Sequence, residues 1–195
     1  MLEYIQGRIS ELTPTYVVLE ANQIGYFIHI TLNSYVALEG KEESLLYIYE
    51  VIREDAHTLY GFTEKNERQL FSLLISVSGI GSNTGRMILS SFSVSELENI
   101  IQTENVNQLK GVKGIGLKTA QRVIIDLKDK VRKTTDCVPS DIPGNKSMQH
   151  KQEALAALVM LGFSSAASSK VIDQIIAQYP DYSLEKIIKE TLKRM

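Results

Sequence analysis

One cysteine, no tryptophan and four prolines stand in a chain of 195 residues. Each scarcity removes a class of protein. Cys137 alone makes neither a disulfide framework nor a cysteine-based metal centre, and in its polar setting it is expected to be inert. His29, His57 and His150 are scattered and read as ordinary strand or surface residues, so no metal site is assigned. No apolar run approaches the roughly 18 residues that span a bilayer. The start, with Glu3 and no early basic residue, does not resemble a secretion signal. A cytoplasmic protein without membrane attachment is expected.

What the chain does have is unevenly distributed. The formal net charge is only −2. Residues 1–63 carry three basic and nine acidic groups, residues 64–133 eleven and seven, and residues 134–195 seven of each. The middle block alone is basic, and a modest excess of this kind suits an anionic partner or a solvated face.

That block holds two glycine turns, Gly79-Ile80-Gly81 and Gly114-Ile115-Gly116, separated by 35 residues. At that shift Leu74 falls on Leu109, Val77 on Val112 and Thr84 on Thr119, which marks an internal duplication. Glycines permit backbone conformations closed to other residues and leave the turn bare. The N–H groups that open the next helix lack intrahelical partners and sit at the positive end of its dipole. Such a turn is a ready anion site. In the second copy Lys118 and Arg122 lie one helical turn apart, with Lys110 and Lys113 just before. Two phosphates of a nucleic-acid strand fit the pair better than one small ligand. The alternative is two tight helix connections with solvated lysines.

Residues 111–119 nearly spell a nucleotide-binding P-loop, but Leu117 stands where the lysine should follow the glycine. The preceding Glu104 to Lys110 is too polar for the buried strand such a loop requires. ATP binding is therefore rejected, and no cofactor is expected.

Upstream, short runs rich in Ile, Val, Leu and Tyr predict five strands: Tyr4 to Ile9, Thr15 to Glu20, Ile24 to Leu32, Leu45 to Ile52 and Thr58 to Phe62. Five short strands suit an OB-like barrel, a fold that often carries single-stranded nucleic acid or an oligosaccharide. This barrel is acidic and lacks a basic-aromatic face. Its last hairpin, Arg53-Glu54-Asp55-Ala56, places two carboxylates at a tip. Such residues usually serve turn chemistry and solubility. Beside a phosphate-binding neighbour they would instead repel a phosphate backbone and wedge strands apart. As a metal pair for phosphodiester cleavage they lack further ligands.

From Thr63 the period becomes helical. Leu70, Phe71, Leu74 and Ile75 share a face before the first turn, and Met87, Ile88 and Leu89 follow it. Ser93 with Glu96 reads as a capping box, and Val123, Ile124 and Leu127 give the helix after the second turn its apolar face. The helical domain should span 64–133. Residues 134–148, with Pro139, Pro143 and Gly144, read as a flexible linker. Residues 149–195 predict three helices. Ala154, Leu155, Leu158 and Leu161 form a stripe ended by Gly162, Ser164 or Ser165 starts the second helix, and Ser183 starts the third. So small a module buries one face well. Met160, Leu161 and Phe163 either complete its core or remain for a partner, with Leu161 the better core candidate.

Together these pieces resemble the RuvA family, the Holliday junction-binding subunits of the bacterial branch migration complex. The motifs are the start Met1-Leu2-Glu3-Tyr4-Ile5-Gln6-Gly7, the run Arg53 to Ala56 leading to Leu59-Tyr60-Gly61-Phe62, both glycine turns, and Ala154-Leu155 through Leu161-Gly162-Phe163. The resemblance covers nearly the whole chain. It implies an α+β multidomain protein: an OB-like barrel, tandem helix-hairpin-helix motifs, and a UBA-like three-helix module on a linker. It further implies a homotetramer, or an octamer on DNA, whose barrels form a platform while the hairpins grip the arms of an open four-way junction in recombination, repair and the SOS response.

On that resemblance Glu54 and Asp55 match an acidic pin near the junction centre. Gly79, Gly81, Gly114, Gly116 and Lys118 match DNA-contacting turns, and Ser82, Asn83, Arg86, Lys110, Lys113, Leu117, Thr119 and Arg122 complete the expected interface. Leu158, Leu161, Gly162 and Phe163 would meet a RuvB-type hexameric ATPase, and a RuvC-type resolvase is a further partner the family suggests. No catalytic residue is expected. There is one departure. Family members often carry a lysine two residues after the first Gly-x-Gly, where this chain has Asn83, which leaves backbone N–H groups, Ser82 and Arg86 to hold phosphate there.

Two rivals differ in kind. A DNA glycosylase built on such hairpins needs an activating aspartate, for which only Asp126 or Asp136 would serve, and no base-sized pocket is legible. An accessory domain gripping generic duplex would not explain the acidic hairpin or the C-terminal module.

Overall fold

The computed structural model describes residues 1–135, 146–179 and 182–194. The chain divides into two compact units, Met1–Val138 and Pro139–Met195. In the first, strands β1 (Tyr4–Leu12), β2 (Tyr16–Ala21), β3 (Ile24–Ile30), β4 (Glu43–Ile52) and β5 (His57–Phe62) close a barrel in the order β1-β2-β3-β5-β4. All pairings are antiparallel except β3 with β5, which run parallel in the register Ile28↔Leu59, His29↔Tyr60 and Ile30↔Gly61. Alternation fills the barrel, since Ile5, Val17, Leu19, Ile28, Ile30, Leu46 and Ile48 turn inward and are buried.

One element escapes the strand pattern of the sequence, and another is shorter than that pattern suggests. Strand β3 ends at Ile30, and Leu32 opens a short helix α1 (Leu32–Leu38) instead of closing a strand. Thr31 caps α1 by accepting the Ser34 N–H at 3.1 Å. Leu38 then drops into the barrel core, fully buried. Seven residues with one core anchor carry no readable helical period, so the sequence alone does not reveal this helix.

Helices α2 (Lys65–Ile75), α3 (Ser82–Ser91), α4 (Val94–Gln102), α5 (Val106–Lys110) and α6 (Leu117–Thr135) follow. Ser93 and Glu96 form the expected capping box, each side chain bonded to the other residue's backbone N–H. Met87, expected on the apolar face of α3, is exposed instead.

The predicted boundary near residue 63 falls inside a shared core. On β5, Gly61 faces the barrel interior, where an added Cβ would meet Ile28, while Tyr60 and Phe62 face outward onto the helices. Phe71 of α2 meets the rings of Tyr49, Tyr60 and Phe62 at 5.3, 5.2 and 5.0 Å. Burying such a ring is worth about 1.5–3 kcal/mol, so the barrel wall and α2 stabilise each other. Arg68 of α2 adds bonds to the Glu3 carboxylate at 2.7 Å and the Glu3 carbonyl at 3.0 Å.

The second unit contains α7 (Lys146–Met160), α8 (Ser165–Gln178) and α9 (Leu184–Arg194) around Ala154, Leu158, Ile172, Ile175 and Ile187. Ser164 caps α8. Positions 134–135 and 146–148, assigned to the linker, are helical. Cys137, Asp136 and the rest of that stretch lie outside the described residues.

Candidate nucleic-acid interface

The 35-residue repeat is reproduced bond for bond. Val77 N donates to Leu74 O and Val112 N to Leu109 O, both at 3.1 Å. Ile80 N reaches Val77 O at 3.0 Å, as Ile115 N reaches Val112 O at 3.1 Å. Gly85 N bonds Gly81 O at 2.9 Å, and Ala120 N bonds Gly116 O at 3.0 Å. The central isoleucines, Ile80 and Ile115, are buried and pin each turn to the core.

The two glycines of each turn do different work. Gly79 and Gly114 have φ of +94° and +90°, a region that strains any side chain. Gly81 and Gly116 leave open space where a Cβ would stand, so a phosphate can approach the backbone closely. Gly81 is the N-cap of α3 and brings no capping side chain. The N–H groups of residues 82–84 and 117–119 precede the first intrahelical bonds and have no acceptor among the described residues. They leave the positive ends of α3 and α6 open to an anion. The turns are neighbours, because a Cβ at Gly114 would lie 3.8 Å from Cε of Met87 on α3.

Around this shared backbone frame the side chains are unequal. Lys110, Lys113, Lys118 and Arg122 are exposed and have no ion-pair partner among the described residues, whereas Lys128 is paired with Glu104. Leu117 is exposed and Thr119 half-buried beside them. At the first turn Asn83 is exposed and Ser82 half-buried, while Arg86 turns back to the barrel and donates to Thr15 O at 2.8 Å. Arg86 is thus a bridge to the barrel as much as a candidate phosphate ligand.

Glu54 and Asp55 occupy the exposed tip between β4 and β5, closed by Arg53 N donating to Ala56 O at 2.8 Å. Neither carboxylate has an ion-pair partner among the described residues. Behind the tip, Glu50 accepts from Leu2 N at 2.7 Å and faces His57 Nε2 at 3.2 Å. The Leu2 N–H, and then His57, hold its carboxyl below the usual glutamate range.

In the second unit Gly162 has φ +96°, with Gly162 N bonded to Val159 O and Phe163 N to Leu158 O, a Schellman end to α7. Leu158 is fully buried, which corrects its assignment to a partner-contacting set: it supports the surface from within. Leu161, the better core candidate by sequence, is 61% exposed because the chain reverses before its side chain can turn inward. Met160 is 89% exposed, Val159 is exposed, and Phe163 is half-buried against the core.

Asp126, the acid a glycosylase would need, is exposed on α6. Among the described residues no cluster of three or more His, Cys, Asp or Glu side chains could hold a metal ion, and no helix is long and apolar enough to cross a membrane.

Comparison with known proteins covers the same parts. Family models described as RuvA N terminal domain, SAM-like Helix-hairpin-helix tandem, and RuvA, C-terminal domain match residues 1–61, 71–129 and 149–195. Curated relatives named Holliday junction branch migration complex subunit RuvA align over the full length of both chains. One from Bacteroides fragilis is 54% identical over 203 residues, one from Bacteroides thetaiotaomicron 53% over 201, and one from Porphyromonas gingivalis 43% over 203.

Proposed function

The chain belongs to the RuvA family, and from that premise we propose that it binds four-way DNA junctions by their phosphates and delivers them to a hexameric ATPase of the RuvB type. The observation that carries this reading is the pair of equivalent glycine turns, each presenting unpaired N–H groups at a helix start. Contacts of this kind position a duplex without reading its bases. Selectivity then comes from symmetry. A homotetramer arranges several weak grips around a centre, and four arms engage them together where a linear duplex engages few. Exposed Tyr4, Ile24, Phe27, Leu32 and Val36 of the first unit offer apolar surface for such self-association.

Within this arrangement Glu54 and Asp55 stand near the crossover and repel strands that approach it. Met160, Leu161 and Phe163, presented by the Gly162 turn, receive the motor. The chain itself has no catalytic task. The segment that nearly spells a P-loop joins two helices, α5 and α6, without the buried strand that a phosphate-cradling loop follows.

Competition binding tests this. A labelled synthetic junction should stay bound under a large excess of linear duplex, and equal competition by the duplex would refute the reading. Lys118→Ala should reduce the slope of log K against log salt by about one for each subunit whose lysine neutralises a phosphate. An unchanged slope would remove Lys118 from the interface.

A further inference from the structure

The first glycine turn has the backbone of a phosphate site but not the charge of the second. At the 35-residue shift Leu117 and Lys118 of α6 correspond to Ser82 and Asn83 of α3. Arg86, the one cationic residue of α3, is bonded to the Thr15 carbonyl on the barrel. Something other than a lysine must therefore equip this turn.

Tyr60 reaches it from β5. Its ring is only 4% exposed, held between His29 at 5.5 Å and Phe71 at 5.2 Å. Strand pairing with His29 on one side and Tyr49 on the other fixes its backbone. A buried tyrosine hydroxyl needs a partner, and this one donates to Ser82 Oγ at 2.9 Å, with Asn83 Oδ1 a weaker acceptor at 3.5 Å. The bond has a directional consequence. One lone pair of Ser82 Oγ is occupied, and the serine's own proton has no acceptor among the described residues. The Asn83 oxygen faces Tyr60, which leaves its amide hydrogens for the other side.

We propose that Tyr60 is the positioning residue of the first turn: its hydroxyl orients the Ser82 hydroxyl and Asn83 amide as outward donors, so that a turn lacking a lysine still grips a phosphate. A chain of hydrogen bonds running from Tyr60 through Ser82 to a phosphate oxygen polarises each member in the same sense. The bond to the anion is of the stronger, charge-assisted kind. The inference rests on the junction-binding reading and adds to it that the two turns grip by different means, one with a cation and one with oriented neutral donors.

The test measures junction affinity of the full chain across a salt series for the unsubstituted protein, Tyr60→Phe, Ser82→Ala and the double variant, with Asn83→Lys added to Tyr60→Phe as a suppressor. Tyr60→Phe keeps the ring and should weaken binding about tenfold, the equivalent of one charge-assisted bond, without changing the salt slope, since no charge is removed. It should cost little more in the Ser82→Ala background, and Asn83→Lys should restore affinity. Unchanged affinity in Tyr60→Phe, or a loss that adds in full to that of Ser82→Ala, overturns the proposal. A purely structural role for the hydroxyl would lower the melting temperature in step with the affinity, and Asn83→Lys would then fail to restore binding, which also overturns the proposal. If the unsubstituted chain shows no preference for junction over duplex, the parent reading has failed, and that outcome is visible before any variant is measured.

Discussion

At the scale of single residues, the carboxylate that the helical region buries is as informative as the cations it exposes. Glu67 of α2 is 3% exposed and accepts from Thr31 Oγ1 at 2.6 Å and Ser34 Oγ at 3.0 Å. Burial pushes its carboxyl above the usual glutamate range, against those two bonds, and the charge of Glu64 adds to the push. Burial displaces Glu98, which lines the same cleft with Asn33, Thr63, Asn66, Ser93 and Ser95, in the same direction. In the unfolded chain both are ordinary carboxyls. Between the ordinary value and the raised one, the native state holds a proton that the unfolded chain has released, so stability falls as pH rises through that window. It is fully present below the unfolded value. Glu67→Gln should flatten this part of the curve, leaving the share due to Glu98, in denaturant melts taken at stepped pH. An undiminished slope in the variant would mean that Glu67 is not its source. None of this was legible in the sequence, where Glu67 looks like one more acid in a polar helix start.

At the scale of elements, the acidic hairpin and the glycine turns belong to one construction. Strand β5 leaves the Glu54-Asp55 tip and arrives at Tyr60, whose hydroxyl touches the first residue of α3. Five residues of extended chain span about 17 Å at 3.4 Å each, so one strand joins the acidic tip to the start of α3. Two close like charges in water repel by about 1 kcal/mol, roughly fivefold in affinity. Glu54→Gln with Asp55→Asn should therefore tighten binding of linear duplex more than that of the junction and lower the preference for the junction by about that factor. Melting should stay unchanged, because both side chains are exposed and have no ion-pair partner among the described residues. Gel-shift competition reads both quantities, and an unaltered preference would leave the carboxylates as turn residues only. The hairpin, the duplicated turns and the capping box were all visible in the sequence, because turns and caps are set by residues within a few positions of each other. Helix α1 was not, since its one anchor, Leu38, is defined by a barrel that forms around it.

At the scale of the molecule, the division of labour follows the two units. The first carries the barrel, both turns and the acidic tip, and the second carries a five-residue buried cluster with an exposed apolar corner. Leu161→Asp in the full chain should leave junction affinity and melting nearly unchanged, because its side chain is already in solvent, and should abolish capture of the ATPase hexamer in a pull-down. Loss of junction binding in that variant would show the units to be energetically coupled. Leu158 makes the contrasting case: a charge there would be buried without a partner and would unfold the module.

The sequence by itself determined the order of parts, the repeat of the turns and the charge asymmetry between blocks, for these rest on local spacing and composition. It also carried enough matched motifs to identify the family. What only the tertiary structure decided is which side chains are spent and which are free. Arg86 faces the barrel, Tyr60 is bonded to Ser82 at the start of α3, Leu161 is in solvent and Leu158 is not. The physical reason is common to all four. A side chain's chemistry is fixed by its type, but its role depends on which neighbours a distant segment brings within about 3 Å, and that distance exists only once barrel and helices share a core.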